Sequence, residues 1–192
     1  MRAAFLPALA RTAVAWKDGG GTTQEIAVHP QGAGFDFDWR VSVATVNASG
    51  AFSTFPGVDR QLVVLEGAMR LSFDGRPSVE LDPSCGPFAF PGDLACRAEV
   101  IEPVQDLNVM VRRGGPTATL HRVATDIALS DGVDLLVALT AGFAGDIRLK
   151  RLDALRFEDG RGETAPFAGD GWQVVISAAT HRGTGVLQRN KR

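Results

Sequence analysis

The chain has 192 residues, of which 45% are hydrophobic and 22% are charged, and its formal net charge is -2. This length suits one large domain or two small packed halves, and such a chain folds without a disulfide or a metal as a staple. Since basic residues are not in excess, nucleic acid is excluded as a partner. Since no apolar run reaches the roughly 18 residues of a transmembrane helix, membrane association is excluded too, and we expect a cytoplasmic protein.

Short apolar runs separated by many glycines and prolines predict strands and turns rather than long helices. Ala8 to Trp16 is the best helix candidate, although Thr12 and Val14 weaken it. Trp39 to Val46 alternates in a period of two, which predicts a strand with two different faces. Glu66-Gly67-Ala68 predicts a hairpin turn. The other predicted strands, all short and bounded by turn residues, span 24–28, 61–65, 69–73, 79–81, 88–90, 96–101, 107–111, 134–141, 147–152, 172–179 and 183–188.

Strands at this spacing predict an all-β fold of the sandwich or barrel type. Gly114-Gly115-Pro116 marks the end of a first unit. We therefore expect an N-terminal barrel over residues 1–115, which carries the glycine-rich loop, and a C-terminal barrel-like unit over 116–192, with strands that the halves can share.

The patterns of a metal site and of a nucleophile are both missing from the sequence. His29, His121 and His181 are far apart and share no short motif, so we expect no metal. Neither G-x-S-x-G nor the phosphate-binding G-x-x-x-x-G-K-[ST] pattern occurs. Cys85 and Cys96 are expected to be reduced thiols.

The glycine-rich segment Trp16-Lys17-Asp18-Gly19-Gly20-Gly21-Thr22 has two interpretations. Consecutive glycines cost conformational entropy, so they need a reason. The reason is either a ligand-lining loop with exposed amide donors or a tight turn beside a packed Trp16.

Three arginines are candidate anion contacts, each with an alternative. Arg40 is either solvated or an anion clamp, and Arg60 either pairs with Asp59 or faces the barrel mouth. Arg112 projects to the same face as Asn108. An arginine inside a barrel needs a carboxylate partner, such as Glu25 or Glu66, or an acidic ligand.

Five segments in order resemble the HutD/Ves family over about residues 5–180. They are 16–22, 25–26, 38–42, 52–60 and 106–110. The resemblance implies a bicupin, that is, two cupin (jelly-roll) β-barrels packed in one chain, without the metal histidines of other cupins. It also implies a role in histidine degradation, through sensing or binding N-formylglutamate or a related intermediate. Asp18 stands where the family commonly has Asn.

The leading hypothesis is a cofactor-free protein that binds a small carboxylate metabolite. Its carboxylate contacts are Arg40, Arg60 and Arg112. Its contacts to acyl or amide oxygens are Lys17, Asn108 and the Gly20 and Gly21 amides, with Thr22 in the same loop. Trp16 and Trp39 would form the walls.

Two other classes of function remain open. One is a metal-free isomerase or hydrolase that uses Lys17 with Glu25 or Asp59 as acid and base. The other is a protein-interaction module. A homodimer is a further expectation.

Overall fold

The computed structural model describes residues 2–178. The predicted strand 183–188 and His181 lie outside this range. The described part of the chain is all-β, and its helical content is the 3-10 turn Ala8–Ala10. The strands are β1 (Arg2–Leu6), β2 (Ala13–Ala15), β3 (Gly21–His29), β4 (Trp39–Val46), β5 (Gly50–Phe52), β6 (Val58–Phe73), β7 (Val79–Leu81), β8 (Phe88–Pro91), β9 (Cys96–Arg112), β10 (Thr117–Val123), β11 (Ile127–Ala128), β12 (Val133–Ala138), β13 (Gly142–Ala144), β14 (Ile147–Leu149), β15 (Ala154–Glu158), β16 (Thr164–Ala165) and β17 (Gly171–Ser177).

Two large sheets make up the fold. The eight-stranded sheet has the order β2-β3-β4-β9-β6-β7, with β5 added to β9 and β8 added to β6. The five-stranded sheet has the order β1-β15-β12-β17-β10. Two small ribbons, β11 with β16 and β13 with β14, complete the described structure.

Alternation along the strands gives the eight-stranded sheet two apolar faces. On the outer face, Val41, Val43 and Leu107 pack against Leu135 and Val174 of the five-stranded sheet. On the inner face, the alternate residues of the same strands pack against one another and form a separate core. These inner-face core residues are Ala44, Val46, Leu62, Val64, Met69, Leu71, Phe73, Leu81, Phe90, Cys96, Ala98 and Val104.

The hairpin predicted at Glu66-Gly67-Ala68 is wrong, because β6 runs through these residues as one strand paired with β9. The register shifts at Glu66 and Ala68 instead, which makes an irregular bulge. Gly67 has φ +79°, and a Cβ there would lie 2.0 Å from the Pro103 carbonyl oxygen. The turn-like residues therefore bend a long strand rather than end it.

The helix predicted from Ala8 to Trp16 is also wrong. The chain makes one 3-10 turn after Pro7 and then enters β2. The β-branched Val14 favours the strand, in which it pairs with Thr23.

The all-β prediction is confirmed, but the described strands do not close into hydrogen-bonded barrels. In residues 2–178 the five-stranded sheet ends at β1 and β10, and four strands of the eight-stranded sheet pair with only one other strand: β2, β5, β7 and β8. The first strand, β1, pairs with β15 in the sheet that otherwise contains strands from the later half of the chain. No helix in the described range is long and apolar enough to cross a membrane.

Candidate functional site

A cluster of polar side chains is buried on the inner face of the eight-stranded sheet. It consists of Ser42, Arg60, Asp106 and Asn108, which are 2%, 5%, 1% and 7% exposed. Asn108 lies between Ser42 of β4 and Leu62 of β6 in the strand register. We call these four residues the inner-face cluster. Charged groups are rarely buried to this degree without a partner.

Aromatic rings surround the Arg60 guanidinium, and it has few hydrogen bonds. Its Cζ lies 4.8 Å from the ring centroid of Phe90 and 5.5 Å from those of Phe52 and Phe55. Its Nη1 donates a long hydrogen bond of 3.4 Å to the Ser53 carbonyl oxygen. Its Nε is buried without a hydrogen-bond partner. Burial lowers the pKa of Arg60 to about 10, although the charge of Asp106 acts in the opposite direction.

Asp106 is the second ionisable member of the cluster. Its Oδ1 and the Oδ1 of Asn108 are both buried without a hydrogen-bond partner. Burial raises the pKa of Asp106 to about 7, and the Arg60 charge offsets only part of that effect. The carboxyl group therefore titrates near neutral pH.

Arg113, which directly follows β9, ties the start of β6 to the loop that follows β8. Its guanidinium contacts the carboxylates of Asp59 and Asp93, both at 2.7 Å. Asp93 also accepts a hydrogen bond from the Gly57 amide at 2.7 Å, and these two interactions lower the pKa of Asp93. The tie fixes the turn that presents Phe55 to Arg60.

Arg40 lies on the same face of β4 as Ser42, but nearer the start of that strand. Its Nε donates to Glu25 Oε2 at 3.0 Å. Trp16 lies near the other end of β4, beside the Gly21–Val46 pair, where its Nε1 donates to Thr23 Oγ1 at 2.8 Å and its ring meets Phe52 edge-on. Arg40 and Trp16 thus border the inner face, whereas Arg60 and Asn108 are inside it.

The glycine-rich segment forms a structural turn in this conformation. The Gly20 amide donates to Asp18 Oδ1 at 3.0 Å, and the Gly20 carbonyl accepts from the Asn47 and Ala48 amides. A Cβ on Gly21 would lie 2.4 Å from the Thr45 carbonyl oxygen and 3.2 Å from the Trp16 ring. Thr22 pairs with Thr45 in the sheet. Close packing against Trp16 therefore explains the glycine at position 21.

Arg112 and Trp39 lie away from the inner-face cluster. Arg112 donates to the carbonyl oxygen of Phe37 and contacts the Asp36 carboxylate at 3.2 Å. It therefore holds the loop between β3 and β4 in place. Trp39 belongs to the outer face and packs between the sheets. The Arg156 guanidinium lies 5.3 Å from its ring centroid.

The three candidate acid–base residues are not brought together. Glu25 pairs with Arg40, and Asp59 pairs with Arg113. Lys17 is exposed in the turn and makes no ion pair with either carboxylate among the described residues.

Within residues 2–178, no group of three His, Cys, Asp or Glu side chains is arranged to hold a metal ion. Cys85 and Cys96 are both free. Burial raises the pKa of the Cys96 thiol to about 11, so the thiol is neutral at physiological pH.

Two surface clefts lie apart from the cluster. One, of about 450 Å³, runs between β1 and β3 and includes Glu25 and Arg156. The other, of about 310 Å³, lies beside His29 and Trp39. Neither is lined by a residue of the inner-face cluster.

The buried polar groups on the corresponding face of the five-stranded sheet are paired. Gln173 Nε2 donates to Asp134 Oδ1 at 2.8 Å, and Asp134 Oδ2 accepts from both the amide and the hydroxyl of Ser130. The rest of that interior is filled by apolar side chains such as Leu136 and Phe157. Unpaired polar atoms therefore distinguish the inner-face cluster from the interior formed on this face of the five-stranded sheet.

Arg60 and Asn108 are among the ligand contacts predicted from the sequence, whereas Ser42 and Asp106 are not. The signal that could have found Asp106 is its parity, since Asp106 and Asn108 are two residues apart on one strand and share a face. By the same alternation, Ser42 lies on the face of β4 that carries the predicted contact Arg40.

The fold is that of a cupin-like all-β protein. A cupin 2 conserved barrel domain protein from Leptotrichia buccalis superposes with a TM-score of 0.56 and 7% identity, over 86% of this chain and 92% of that protein. HutD from Pseudomonas fluorescens SBW25, solved in a formate condition, superposes with a TM-score of 0.82 and 26% identity, over 92% and 99% of the two chains.

The chain belongs to the HutD family, whose family model matches residues 9–175. It is 43% identical over 98 residues to an uncharacterised 21.2 kDa protein in the hutC 3′ region of Pseudomonas putida, a match that covers 50% of each chain. It is 38% identical over 100 residues to protein Ves of Citrobacter koseri, which covers 51% of this chain and 52% of Ves. The matched region thus spans about half the length of these curated relatives.

Proposed function

We propose that the protein binds a small carboxylate metabolite at the inner-face cluster, without a metal. N-formylglutamate or a related intermediate of histidine degradation is the metabolite that we propose. Its role would be regulatory or accessory to histidine utilisation in the cytoplasm. The family name and the hutC neighbourhood of one relative support the pathway.

The observation that carries the proposal is the incomplete hydrogen bonding of buried Arg60. Its Nε has no partner, and none of the ion pairs among the described residues involves its guanidinium. Arginine binds carboxylates through paired N–H donors, and such charge-assisted hydrogen bonds are among the strongest in proteins. A ligand carboxylate would supply the missing acceptor. An acyl N–H would find an acceptor in the unpartnered Oδ1 of Asn108.

The aromatic rings around Arg60 define how a ligand would enter. Phe52 and Phe55 are half-buried; Phe52 ends β5, and Phe55 lies in the segment between β5 and β6. Neither of the two clefts described above includes a residue of the cluster, and we propose that a ligand reaches Arg60 by displacing one of these rings. The rings would then exclude water from the bound carboxylate.

The proposal includes a bicupin arrangement with units over residues 1–115 and 116–192, the first of which holds the ligand. It also includes β1 as a strand that the first unit contributes to the sheet of the second. The pairing of β1 with β15 supports this contribution of a strand.

Replacing Arg60 tests the proposal. We expect Arg60→Gln to weaken binding of N-formylglutamate roughly 10- to 100-fold, because a charge-assisted hydrogen bond is worth about 1.5–3 kcal/mol. Isothermal titration calorimetry measures the affinity, and thermal unfolding checks that the variant is folded.

The matched control is Arg70→Gln. Arg70 is a surface arginine paired with Glu80 and Glu99, so its loss leaves binding unchanged. The proposal fails if folded wild-type protein gives no heat with N-formylglutamate or other histidine-pathway intermediates. It fails equally if Arg60→Gln binds as tightly as the wild type.

A further inference from the structure

The inner-face cluster holds one positive and one negative group, both almost completely buried. Arg60 and Asp106 are 5% and 1% exposed. With Asp106 ionised, their charges cancel. A ligand carboxylate adds a second negative charge, and Arg60 can balance only one of the two. An uncompensated buried charge is costly, so a bound carboxylate and an ionised Asp106 exclude each other.

Among residues 2–178, the groups around Asp106 offer no other compensating charge. In the strand register it lies opposite Ala44 of β4 and Val64 of β6, which are both apolar. Ser42 and Asn108 are uncharged. The Cys96 thiol is neutral, because burial raises its pKa to about 11.

The charged groups at the edge of the sheet are already paired. Arg40 is neutralised by Glu25, and Arg112 by Asp36. Arg113 is shared between Asp59 and Asp93. Arg60 is the charge that acts on Asp106.

We propose that Asp106 is the residue that couples ligand binding to proton uptake: it is protonated in the complex and donates a hydrogen bond to the bound carboxylate. The inference rests on the proposed function, and it adds a role for a residue beyond the Arg60 contact. The unpartnered Oδ1 of Asp106 is the atom available to carry the proton. The cluster then binds a carboxylate that accepts a hydrogen bond from the protonated Asp106 side chain.

The coupling has a defined pH window. In the free protein the pKa of Asp106 is raised to about 7 by burial. Below this pH the proton is already present, so affinity is independent of pH until the ligand itself is protonated. Above it, each complex takes up one proton, so the dissociation constant rises about tenfold per pH unit.

The experiment is calorimetric titration of N-formylglutamate into the full chain at about pH 5.5, 7 and 8.5. Each titration is run in two buffers that differ in ionisation enthalpy. We expect proton uptake close to zero at the lowest pH and close to one proton at the highest, with affinity falling roughly 15-fold between about pH 7 and pH 8.5, because half of Asp106 is already ionised at pH 7.

Asp106→Asn is the matched variant, because an asparagine amide donates a hydrogen bond but cannot titrate. It should bind with the same affinity across this range and more tightly than wild type at the highest pH. Glu99→Gln removes a surface carboxylate that pairs with Arg70 and should keep the wild-type slope.

Each outcome decides one question. Absence of heat at every pH overturns the proposed function and this inference with it. Binding without proton uptake overturns the inference and leaves the proposed function standing. The same holds if Asp106→Asn keeps the pH slope. The two-buffer measurement needs only wild-type protein, so it decides the matter even if the variant does not fold.

Discussion

The individual residues of this chain show how strongly one backbone position can constrain the fold. Gly67 sits in the bulge of β6 with φ +79°, and the Pro103 carbonyl group occupies the space where a Cβ would be. Two separate costs, left-handed backbone and steric overlap, therefore act against any other residue at this position.

Gly67→Ala tests this constraint. We expect it to lower the free energy of unfolding by about 3 kcal/mol, because the β6–β9 pairing has to shift to relieve the overlap. Gly75→Ala is the control, since Gly75 has φ +70° but no heavy atom within 4 Å of an added Cβ. It should cost only about 1 kcal/mol. Equal losses for the two variants in urea unfolding would show that overlap with Pro103 is unimportant.

Residue identity also decided which parts of the candidate site could be found from sequence. Arg60 and Asn108 are recognisable because an arginine beside apolar strand residues is unusual, and because Asn108 alternates with Leu107 and Val109. Asp106 attracts less notice, since a lone carboxylate in a strand is commonly solvated. Its burial depends on how β9 is covered by β4 and β6, which is non-local information.

At the scale of elements, local periodicity predicted β4 with its observed ends, Trp39–Val46. The alternation is unbroken there because one face meets the other sheet and the other face meets the inner core. The same reasoning split β6 in two, because a bulge and a hairpin turn share the residues Glu-Gly-Ala. Only the pairing with β9 distinguishes them, and pairing between distant strands is not encoded locally.

Strand β1 offers a test at this scale. Deleting residues 2–6 removes the pairing with β15 and the packing of Leu6 against the core between the sheets. We expect amide hydrogen exchange to speed up in β15 and β12 and to stay unchanged in β6 and β9. If the deletion costs about 2 kcal/mol, the thermal midpoint should fall by roughly 4–8 °C, since 1 kcal/mol shifts it by about 2–4 °C at this chain length.

The control for β1 is another exposed edge. Val14→Ser alters β2 at a side chain that is 64% exposed, so it should leave exchange in β15 unchanged. A deletion that accelerates exchange uniformly over both sheets would contradict a local role for β1.

At the scale of the whole molecule, the two interiors differ although their sheets are packed together. Asp134 and Gln173 satisfy each other in one interior, while Arg60, Asp106 and Asn108 have unpartnered atoms in the other. Since unpaired buried polar groups are costly, the proposed ligand would stabilise the inner-face cluster by supplying the missing partners, whereas the paired Asp134 and Gln173 need none.

Methyl NMR tests this asymmetry. Titration of N-formylglutamate should shift the methyl resonances of Leu62, Val64 and Met110, which line the face of the inner-face cluster. The resonances of Leu136 and Leu155, which lie in the other interior, should stay fixed. Shifts confined to Leu136 and Leu155 would locate binding in the wrong half.

The pairing of β1 with β15 has a consequence for how the chain is made. Leu6 pairs with Ala154, so the strand that leaves the ribosome early finds its partner only when most of the protein has been synthesised. At about 5–20 residues per second, that delay is on the order of 10–30 s. During this time the apolar segment Ala3–Leu6 has no strand to pair with, whereas the eight-stranded sheet is complete once Arg112 has been synthesised. The nascent chain therefore exposes an apolar segment until Ala154 has emerged, and in that interval the segment is open to aggregation unless another protein binds it.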